Sequence, residues 1–184
     1  ATLARIAESD VKQMKSQRDE ACRTIKEINR LNTRYNHEYE QVVQQLTKEL
    51  ADEKICIINE RQLNEGQQAF IRHYFRNSLA GFTNPIWLSQ AERLANESDD
   101  TIYLAVRLTR WHDDAQKPKK EYALIRVPVE KFGRFLELPV EDGTHYIMYM
   151  DDVIRYCLPL IFVSVDYDHF EAYSFKFTKD AEME

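Results

Sequence analysis

Apart from one wider gap, between Met14 and Cys22, apolar residues recur at intervals of three and four from Val11 to Leu50. From about Ser9 to Asp52 the chain has no Gly and no Pro, and Lys, Glu, Gln and Arg fill the other positions. This period predicts one long amphipathic helix. The helix either packs within its own domain or pairs with another chain or domain, and Arg18 and Asn32 interrupt a strict heptad seam, which favours packing. The apolar positions are Val11, Met14, Cys22, Ile25, Ile28, Leu31, Tyr35, Tyr39, Val42, Leu46 and Leu50.

A short apolar run and a capped helix follow. Ile55–Ile58 is Ile-Cys-Ile-Ile, which predicts a strand buried on both faces. Asn64 and Gln67 have the spacing of a capping box, which predicts the start of a helix. Phe70, Ile71, Tyr74 and Phe75 then fall on one helix face and are predicted to face the core.

The second half of the chain has the alternation typical of strands. The polar connection from Trp111 to Lys120, between the predicted strands Ile102–Thr109 and Tyr122–Val127, indicates a hairpin. A short apolar run at Ile86–Leu88 precedes a polar stretch, Glu92 to Asp100, which we expect to be a loop with some helix. The predicted strands are Ile102–Thr109, Tyr122–Val127, Tyr146–Tyr149 and Tyr173–Phe177.

Two helical segments complete the second half. Phe132 to Leu138 predicts a short helical turn and then an extended piece that ends at Pro139. Asp151 or Asp152 is predicted to cap a helix, which Pro159 should kink or end. The fold class is therefore α+β, with a long N-terminal helix or helical arm followed by a mixed, mostly antiparallel sheet with packed helices.

Composition restricts the classes of partner. The chain has 184 residues, 43% of them apolar, and a formal charge of −6. This length can bury a substantial core. The acidic balance gives no general attraction to nucleic acid or anionic lipid, so any polyanion must be held by a local patch. Cys22, Cys56 and Cys157 are predicted to be buried, reduced thiols of a cytosolic protein, and no run is long enough to span a membrane.

The two ends suggest a piece of a longer protein. Ala1 to Ile6 already has the character of a helix interior without an N-cap, and there is no initiator Met. Lys179 to Glu184 ends without a helix or strand terminator.

Motifs for familiar active sites are missing from the sequence. Four glycines form neither G-x-x-x-x-G-K nor G-x-G-x-x-G, and G-x-S-x-G does not occur. His112-Asp113-Asp114 and Asp166-Tyr167-Asp168-His169 are the only His/Asp clusters. Both fall in predicted loops, where solvated acids are more common than a metal site. We expect no catalytic, cofactor-binding or metal-binding residue in this chain.

Basic residues group in two places. Arg72 and Arg76 lie on the central helix, and Arg107 and Arg110 lie at the hairpin together with Lys117, Lys119 and Lys120. They either form solvated surfaces and protect a sheet edge, or contact phosphate groups. Arg72, Arg76, Arg107 and Arg110 are therefore the candidate polyanion contacts. His73, beside the buried stripe, is expected to be structural.

Segments running in order from about Leu46 to Glu184 together resemble the middle (head) domain of the long-chain polyphosphate kinases. Residues 1–45 resemble the last helices of that family's N-terminal domain. The resemblance divides the chain into 1–45 and a head domain, 46–184. The matching segments are Ile57–Leu63, Gln67-Gln68, Arg72–Phe75, Tyr103–Val106, Tyr122–Ile125 with Pro128, Arg134-Phe135 with Leu138-Pro139, Asp152–Cys157, Ala172–Phe175 and Thr178–Glu182.

The resemblance implies a parent enzyme that transfers the terminal phosphate of ATP reversibly to inorganic polyphosphate. In that family a histidine of the C-terminal domains is phosphorylated and Mg²⁺ assists. His37, His73, His112, His145 and His169 match no catalytic motif of the family, so no catalytic residue is carried over. Two departures stand out: the hairpin loop 111–120 is longer than is common, and Pro159 interrupts a helix expected to be continuous.

The implied role of this piece is non-catalytic, in dimerisation and domain organisation. Its expected partners are the rest of the same polypeptide, a second copy and polyphosphate, with no nucleic acid and no transmembrane segment. ATP and Mg²⁺ belong to the parent enzyme, which is expected in the cytoplasm or peripherally at the membrane. The alternative is a generic α+β interaction module that dimerises through the long helix.

Overall fold

The computed structural model describes residues 2–89, 101–111 and 118–176, without the side chains of residues 2–13, 16 and 17. It divides into two units, Ala1–Asp52 and Glu53–Glu184. None of the described helices is long and apolar enough to cross a membrane. The predicted loop Glu92–Asp100, the cluster at His112, Lys117 and the end of the last predicted strand lie outside the described residues.

The first unit is a single helix. α1 spans Thr2–Asp52, which confirms the helix that the apolar period predicts. Exposed ion pairs such as Arg30–Glu27, at 2.6 Å, line its polar faces. Cys22 is exposed, so the prediction that all three thiols are buried is wrong at this position. The exposed large apolar side chains of α1 are Met14, Ile25, Ile28, Tyr35, Tyr39, Val42, Val43 and Leu46.

The second unit contains seven strands and four α-helices within the described residues, so the predicted α+β class is confirmed. The strands form two sheets, with the orders β1-β6-β5 and β2-β4-β3-β7. The elements are β1 (Ile55–Ile58), α2 (Glu65–Tyr74), β2 (Ile86–Trp87), β3 (Ile102–Arg110), β4 (Lys119–Arg126), α3 (Val129–Phe132), β5 (Phe135–Glu137), β6 (His145–Tyr149), α4 (Met150–Tyr156), α5 (Leu158–Ile161) and β7 (His169–Lys176).

β1 lies at an edge of the three-stranded sheet and pairs in parallel with β6. All four of its residues are half-buried. The predicted strand is therefore confirmed, but both of its faces are only partly buried, because a continuous apolar run does not show how completely each face is covered.

The capping box that opens α2 is confirmed. Asn64 Oδ1 accepts from the backbone N–H of Gln67 at 2.9 Å, and Gln67 Oε1 accepts from the N–H of Asn64 at 3.2 Å. A π-helical turn, Phe75–Leu79, and a 3₁₀ turn, Ala80–Phe82, continue the helix. Ile71, Phe75 and Leu79 are all buried in the core, beside the inward-facing residues of β3.

The predicted hairpin is confirmed: β3 and β4 pair antiparallel, with Ala105 opposite Leu124. β7 pairs antiparallel with the other side of β3, with Tyr173 opposite Ala105. Side chains alternate across a strand, so Leu104, Val106 and Leu108 face the core, where each is at most 1% exposed.

α4 begins without a side-chain cap. Its N-cap residue is Tyr149, and Asp151 and Asp152 lie inside the first turn. The prediction that either aspartate caps this helix is wrong, because Asp151 instead pairs with Arg134. The prediction for Pro159 is confirmed: α4 ends at Tyr156, and Pro159 stands in the first turn of α5, where its missing N–H leaves no helical hydrogen bond unmade.

Candidate functional site

A buried carboxylate at the start of α4 is the centre of a polar network. Asp151 is 6% exposed. Arg134 Nη1 donates to its Oδ1 at 2.5 Å, and Ser174 Oγ donates to its Oδ2 at 2.6 Å. These three residues belong to α4, the segment before β5, and β7, so the network joins both sheets to one helix.

Arg155 extends the network one helical turn further. Its Nε donates to the Ala172 carbonyl oxygen at 3.2 Å, and its Nη2 donates to Ser174 Oγ at 3.1 Å. Its Nη1 pairs with Asp152 and lies 3.6 Å from Glu60 Oε2. The guanidinium thus bridges α4, β7 and the turn after β1.

The two adjacent aspartates have pKa values shifted in opposite directions. Burial tends to raise the pKa of Asp151, but hydrogen bonds from Ser174 and Arg134, with the Arg134 charge, hold that pKa below its usual value. Burial also raises the pKa of Asp152, and there the Arg155 charge offsets burial only in part, because Asp151 and Glu60 add negative charge nearby. Glu60 in turn lies 3.6 Å from Arg61 Nε, so a third arginine reaches this group of acids.

A cleft of about 480 Å³ lies beside this network. It is lined by charged side chains of both signs: Glu60 and Glu171 are acidic, and Arg61 and Arg155 are basic. Tyr156, Leu158 and Pro159 provide an apolar wall, and residues 169–173 of β7 form the facing wall. The cleft has no net excess of positive charge, so it does not have the character of a polyanion site.

A second, half-buried polar cluster surrounds Tyr156. Arg72 Nη1 donates to the Tyr156 hydroxyl at 2.5 Å, and that hydroxyl donates to Gln68 Oε1 at 3.3 Å. Burial raises the pKa of the neighbouring Cys157 thiol to about 12, although the Arg72 charge acts to lower it. The thiol is therefore protonated near neutral pH and unsuited to nucleophilic chemistry.

The four candidate polyanion contacts lie on three elements, with Arg107 and Arg110 both on β3. Arg72 is half-buried on α2, and Arg76 is exposed on the π-helical turn; neither has a carboxylate partner among the described residues. Arg107 pairs with Glu171, and Arg110 lies 3.2 Å from Asp166 and 3.8 Å from Asp168. Arg107 faces away from the core that contains α2, so the structure does not bring the four residues into one patch.

His73, His145 and the second acidic cluster have ordinary partners. His73 is exposed and bonds Asn77, and His145 Nδ1 lies 2.8 Å from Glu137 Oε1. Asp166 and Asp168 pair with Arg110, as above. Within residues 2–89, 101–111 and 118–176, no group of three or more His, Cys, Asp or Glu side chains is placed to hold a metal ion.

Residue-by-residue reasoning missed the Asp151 network. In the sequence, Arg134 and Arg155 stood out only as parts of longer segments that match the family. Ser174 stood out only as a polar residue of an alternating strand. The available signal was the adjacent pair Asp151-Asp152 followed by Arg155, since Asp152 and Arg155 meet at i, i+3 on one helix face. The contacts to Arg134 and Ser174 depend on the tertiary fold.

Comparison with known proteins shows a family match over most of the second unit. The family model described as "Polyphosphate kinase middle domain" matches residues 66–184.

Individual relatives agree with this match. The chain is 34% identical over 164 residues to the polyphosphate kinase of Yersinia pestis, which covers 87% of this chain and 23% of that protein. It is 37% identical over 153 residues to the enzyme of Salmonella typhimurium, covering 81% of this chain and 21% of that protein. The crystal structure of the Porphyromonas gingivalis polyphosphate kinase is similar with a TM-score of 0.64 and 26% identity, over 79% of this chain and 22% of that one. The chain thus spans about a fifth to a quarter of the length of these relatives.

Proposed function

The chain belongs to the polyphosphate kinase family, and from this premise we propose that it is the architectural middle part of an enzyme that transfers the terminal phosphate of ATP reversibly to inorganic polyphosphate. The family match over residues 66–184 carries this proposal. Residues 1–45 would be the last helices of the preceding domain, and residues 46–184 the head domain.

The chemistry would belong to other parts of the polypeptide. A phosphorylated histidine splits one phosphoryl transfer into two steps, and Mg²⁺ offsets the charge of the phosphates. The described residues of this chain offer no group of ligands for Mg²⁺, so we assign none of them a step with the metal or with ATP. Their part is to hold two sheets and α4 in a fixed arrangement through the core and the Asp151 network.

A domain exchange tests the architectural role. Residues 66–184 would replace the aligned segment of the Salmonella typhimurium enzyme, and polyphosphate synthesis from ATP would be measured. We expect the chimera to retain activity because the exchanged domain supplies the same scaffold. The matched control carries Ile154→Asp, which places a charge in the core and should abolish activity together with the fold. A chimera that is folded and inactive would contradict the proposal.

The absence of a catalytic role is tested separately. The purified 184-residue chain, incubated with ATP, Mg²⁺ and a polyphosphate primer, should give no chain growth. Turnover that follows the protein through purification would show that reactive groups lie within this piece. In the intact enzyme, the phosphorylated residue should be acid-labile and should map outside these 184 residues.

Dimerisation and location complete the proposal. We expect the intact enzyme to be a homo-oligomer in the cytoplasm or peripherally at the membrane, with the head domain contributing to the dimer. Of the four candidate contacts, Arg72 and Arg76 would be the ones to meet polyphosphate, because Arg107 and Arg110 already pair with acids. Titration of labelled polyphosphate should then show a steep salt dependence that Arg72→Gln with Arg76→Gln removes.

A second candidate function is an interaction module that dimerises through α1. The exposed apolar side chains of this helix, such as Ile28, Tyr35 and Val42, favour it, since they recur at helical spacing over many turns. Light scattering of a variant without residues 1–45 distinguishes the two. Loss of the dimer supports the helix, and retention supports the head domain.

A further inference from the structure

One edge of β7 is closed by a side chain. β7 stands last in the order β2-β4-β3-β7, so one edge pairs with β3 and the other has no neighbouring strand among the described residues. In antiparallel pairing, alternate residues direct their backbone groups away from the neighbour. Ala172 belongs to this outward set, because its carbonyl oxygen accepts from Arg155 Nε at 3.2 Å. Arg155 therefore stands where a further strand would bind.

Arg155 is held firmly in this position. Its side chain is only 21% exposed, and Asp152 and Glu60 flank the guanidinium. Its Nη2 donates to Ser174 Oγ at 3.1 Å, two residues along the same edge. The guanidinium thus occupies the outward carbonyl of Ala172, and the side chain of Ser174 helps to fix it there.

The two ends of this sheet differ in how they are protected. β2 pairs with only Ala123 and Leu124 of β4, and the rest of β4 begins with Lys119, Lys120 and Glu121, charged residues that discourage pairing. β7 has eight residues, no proline, and aromatic side chains at Phe170, Tyr173 and Phe175. A strand of this length and composition is a template for pairing unless it is covered.

We propose that Arg155 is an edge guard, which closes β7 against strand addition by a second copy of this chain. β7 is complementary to itself in antiparallel register about Ala172. That register sets Phe170 opposite Ser174, and Asp168 opposite Lys176, so unlike charges face each other. This inference is independent of the enzymatic role proposed above.

The test compares two variants of the full chain with the parent chain. Arg155→Met removes every donor, whereas Arg61→Met removes a charge from the same cleft that makes no bond to β7. Sedimentation velocity over a range of concentrations should show Arg155→Met forming larger species while Arg61→Met behaves as the parent chain. Hydrogen exchange in those species should show new protection at the amides of Phe170, Ala172 and Ser174.

A further substitution identifies the route of association. Ala172→Pro deletes an outward N–H and leaves the bonds to β3 in place, so it should return Arg155→Met to the parent mass. A folded Arg155→Met chain of unchanged mass overturns the proposal, and so does association that Ala172→Pro leaves intact.

If circular dichroism shows that Arg155→Met does not fold, Arg155→Lys is tested in its place by peptide binding. A labelled peptide of residues 169–176 should bind this variant about tenfold more tightly than the parent. Equal binding would contradict the proposal that Arg155 closes the edge of β7.

Discussion

Arg134 Nη1 donates to Asp151 Oδ1 at 2.5 Å, and this ion pair joins the segment before β5 to the first turn of α4. The same two segments are joined by the backbone, since the N–H of Met150 donates to the Arg134 carbonyl at 2.9 Å. The carboxylate side chain is 9% exposed and the guanidinium 33%. Loss of one partner therefore leaves a charge in a partly dry environment.

Replacing Asp151 should destabilise the domain. Asp151→Asn keeps the size of the side chain but removes the charge that faces Arg134. Breaking a fully buried pair costs 3–5 kcal/mol, and the exposure of Arg134 reduces this, so we expect a loss of about 2 kcal/mol. Urea unfolding followed by circular dichroism measures it.

The exposed pair Arg126–Glu130 provides the control. Its two side chains are 45% and 62% exposed, at an N–O distance of 3.1 Å. Glu130→Gln should therefore change the free energy of unfolding by roughly 0.5 kcal/mol or less. Equal effects of Asp151→Asn and Glu130→Gln would show that the Asp151 network contributes no special stability.

The stability of the domain should fall in acid through Asp151. Its pKa is depressed in the folded state, so its contribution is present above the unfolded value of about 4 and is lost as the pH falls through the folded value. Urea midpoints between about pH 7 and about pH 3 should fall more steeply for the parent than for Asp151→Asn. Parallel curves would contradict this assignment.

Asp152 should show the opposite linkage. Its pKa is raised in the folded state, so its contribution is present below the unfolded value and is lost as the pH rises through the folded value. Asp152→Asn should therefore cost less stability near neutral pH than Asp151→Asn. An Asp152→Asn variant that is the less stable of the two would mean that the bond to Arg155 outweighs the burial of this charge.

The capping box of α2 should contribute about 1 kcal/mol. Asn64→Ala removes the acceptor for the Gln67 N–H, and loss of such a cap typically costs 0.5–2 kcal/mol, so we expect about 1 kcal/mol in thermal or urea unfolding. Asn64 Nδ2 also donates to Glu141 at 2.8 Å. Asn64→Ser keeps the cap and loses that contact, so a full loss of stability in Asn64→Ser would assign the effect to Glu141 instead.

The three thiols should differ sharply in reactivity. Cys22 is exposed, Cys56 is half-buried and Cys157 is buried. With a pKa of about 12, the Cys157 thiol has a thiolate fraction of about 10⁻⁴ near pH 8. A colorimetric thiol reagent should modify Cys22 first and Cys157 only after unfolding, and Cys22→Ser should remove the fast phase. Fast labelling of Cys157 in the native protein would contradict its burial.

Local patterns predicted most of the elements. The spacing of Asn64 and Gln67 gave the start of α2, and the alternation at Leu104, Val106 and Leu108 gave the inward face of β3, because both depend on neighbours in sequence. The period of three and four gave α1. These signals do not require knowledge of the rest of the fold.

Long-range features could not be read from the same patterns. The run Ile55–Ile58 is apolar throughout, but its place at a sheet edge depends on which strands it meets. Asp151 is of a residue type that often caps helices, and only the approach of Arg134 and Ser174 gives it another role. Arg107 and Arg110 belong to one basic run in sequence, and Glu171, Asp166 and Asp168 neutralise them from the other end of the chain.

The π-helical turn Phe75–Leu79 bears on how the length of this domain can vary among its relatives. The N–H of Ala80 donates to the Phe75 carbonyl, five residues back, so the turn contains one residue more than an α-helical turn would. Phe75 and Leu79 are nonetheless both buried. A shorter relative that lacks one residue between them would place the same two side chains at i, i+3 of an ordinary α-helix, still on one face. A one-residue gap at this point in an alignment would therefore mark the conversion of the π-helical turn into an α-helical one. The side chains of Phe75 and Leu79 would keep their places in the core.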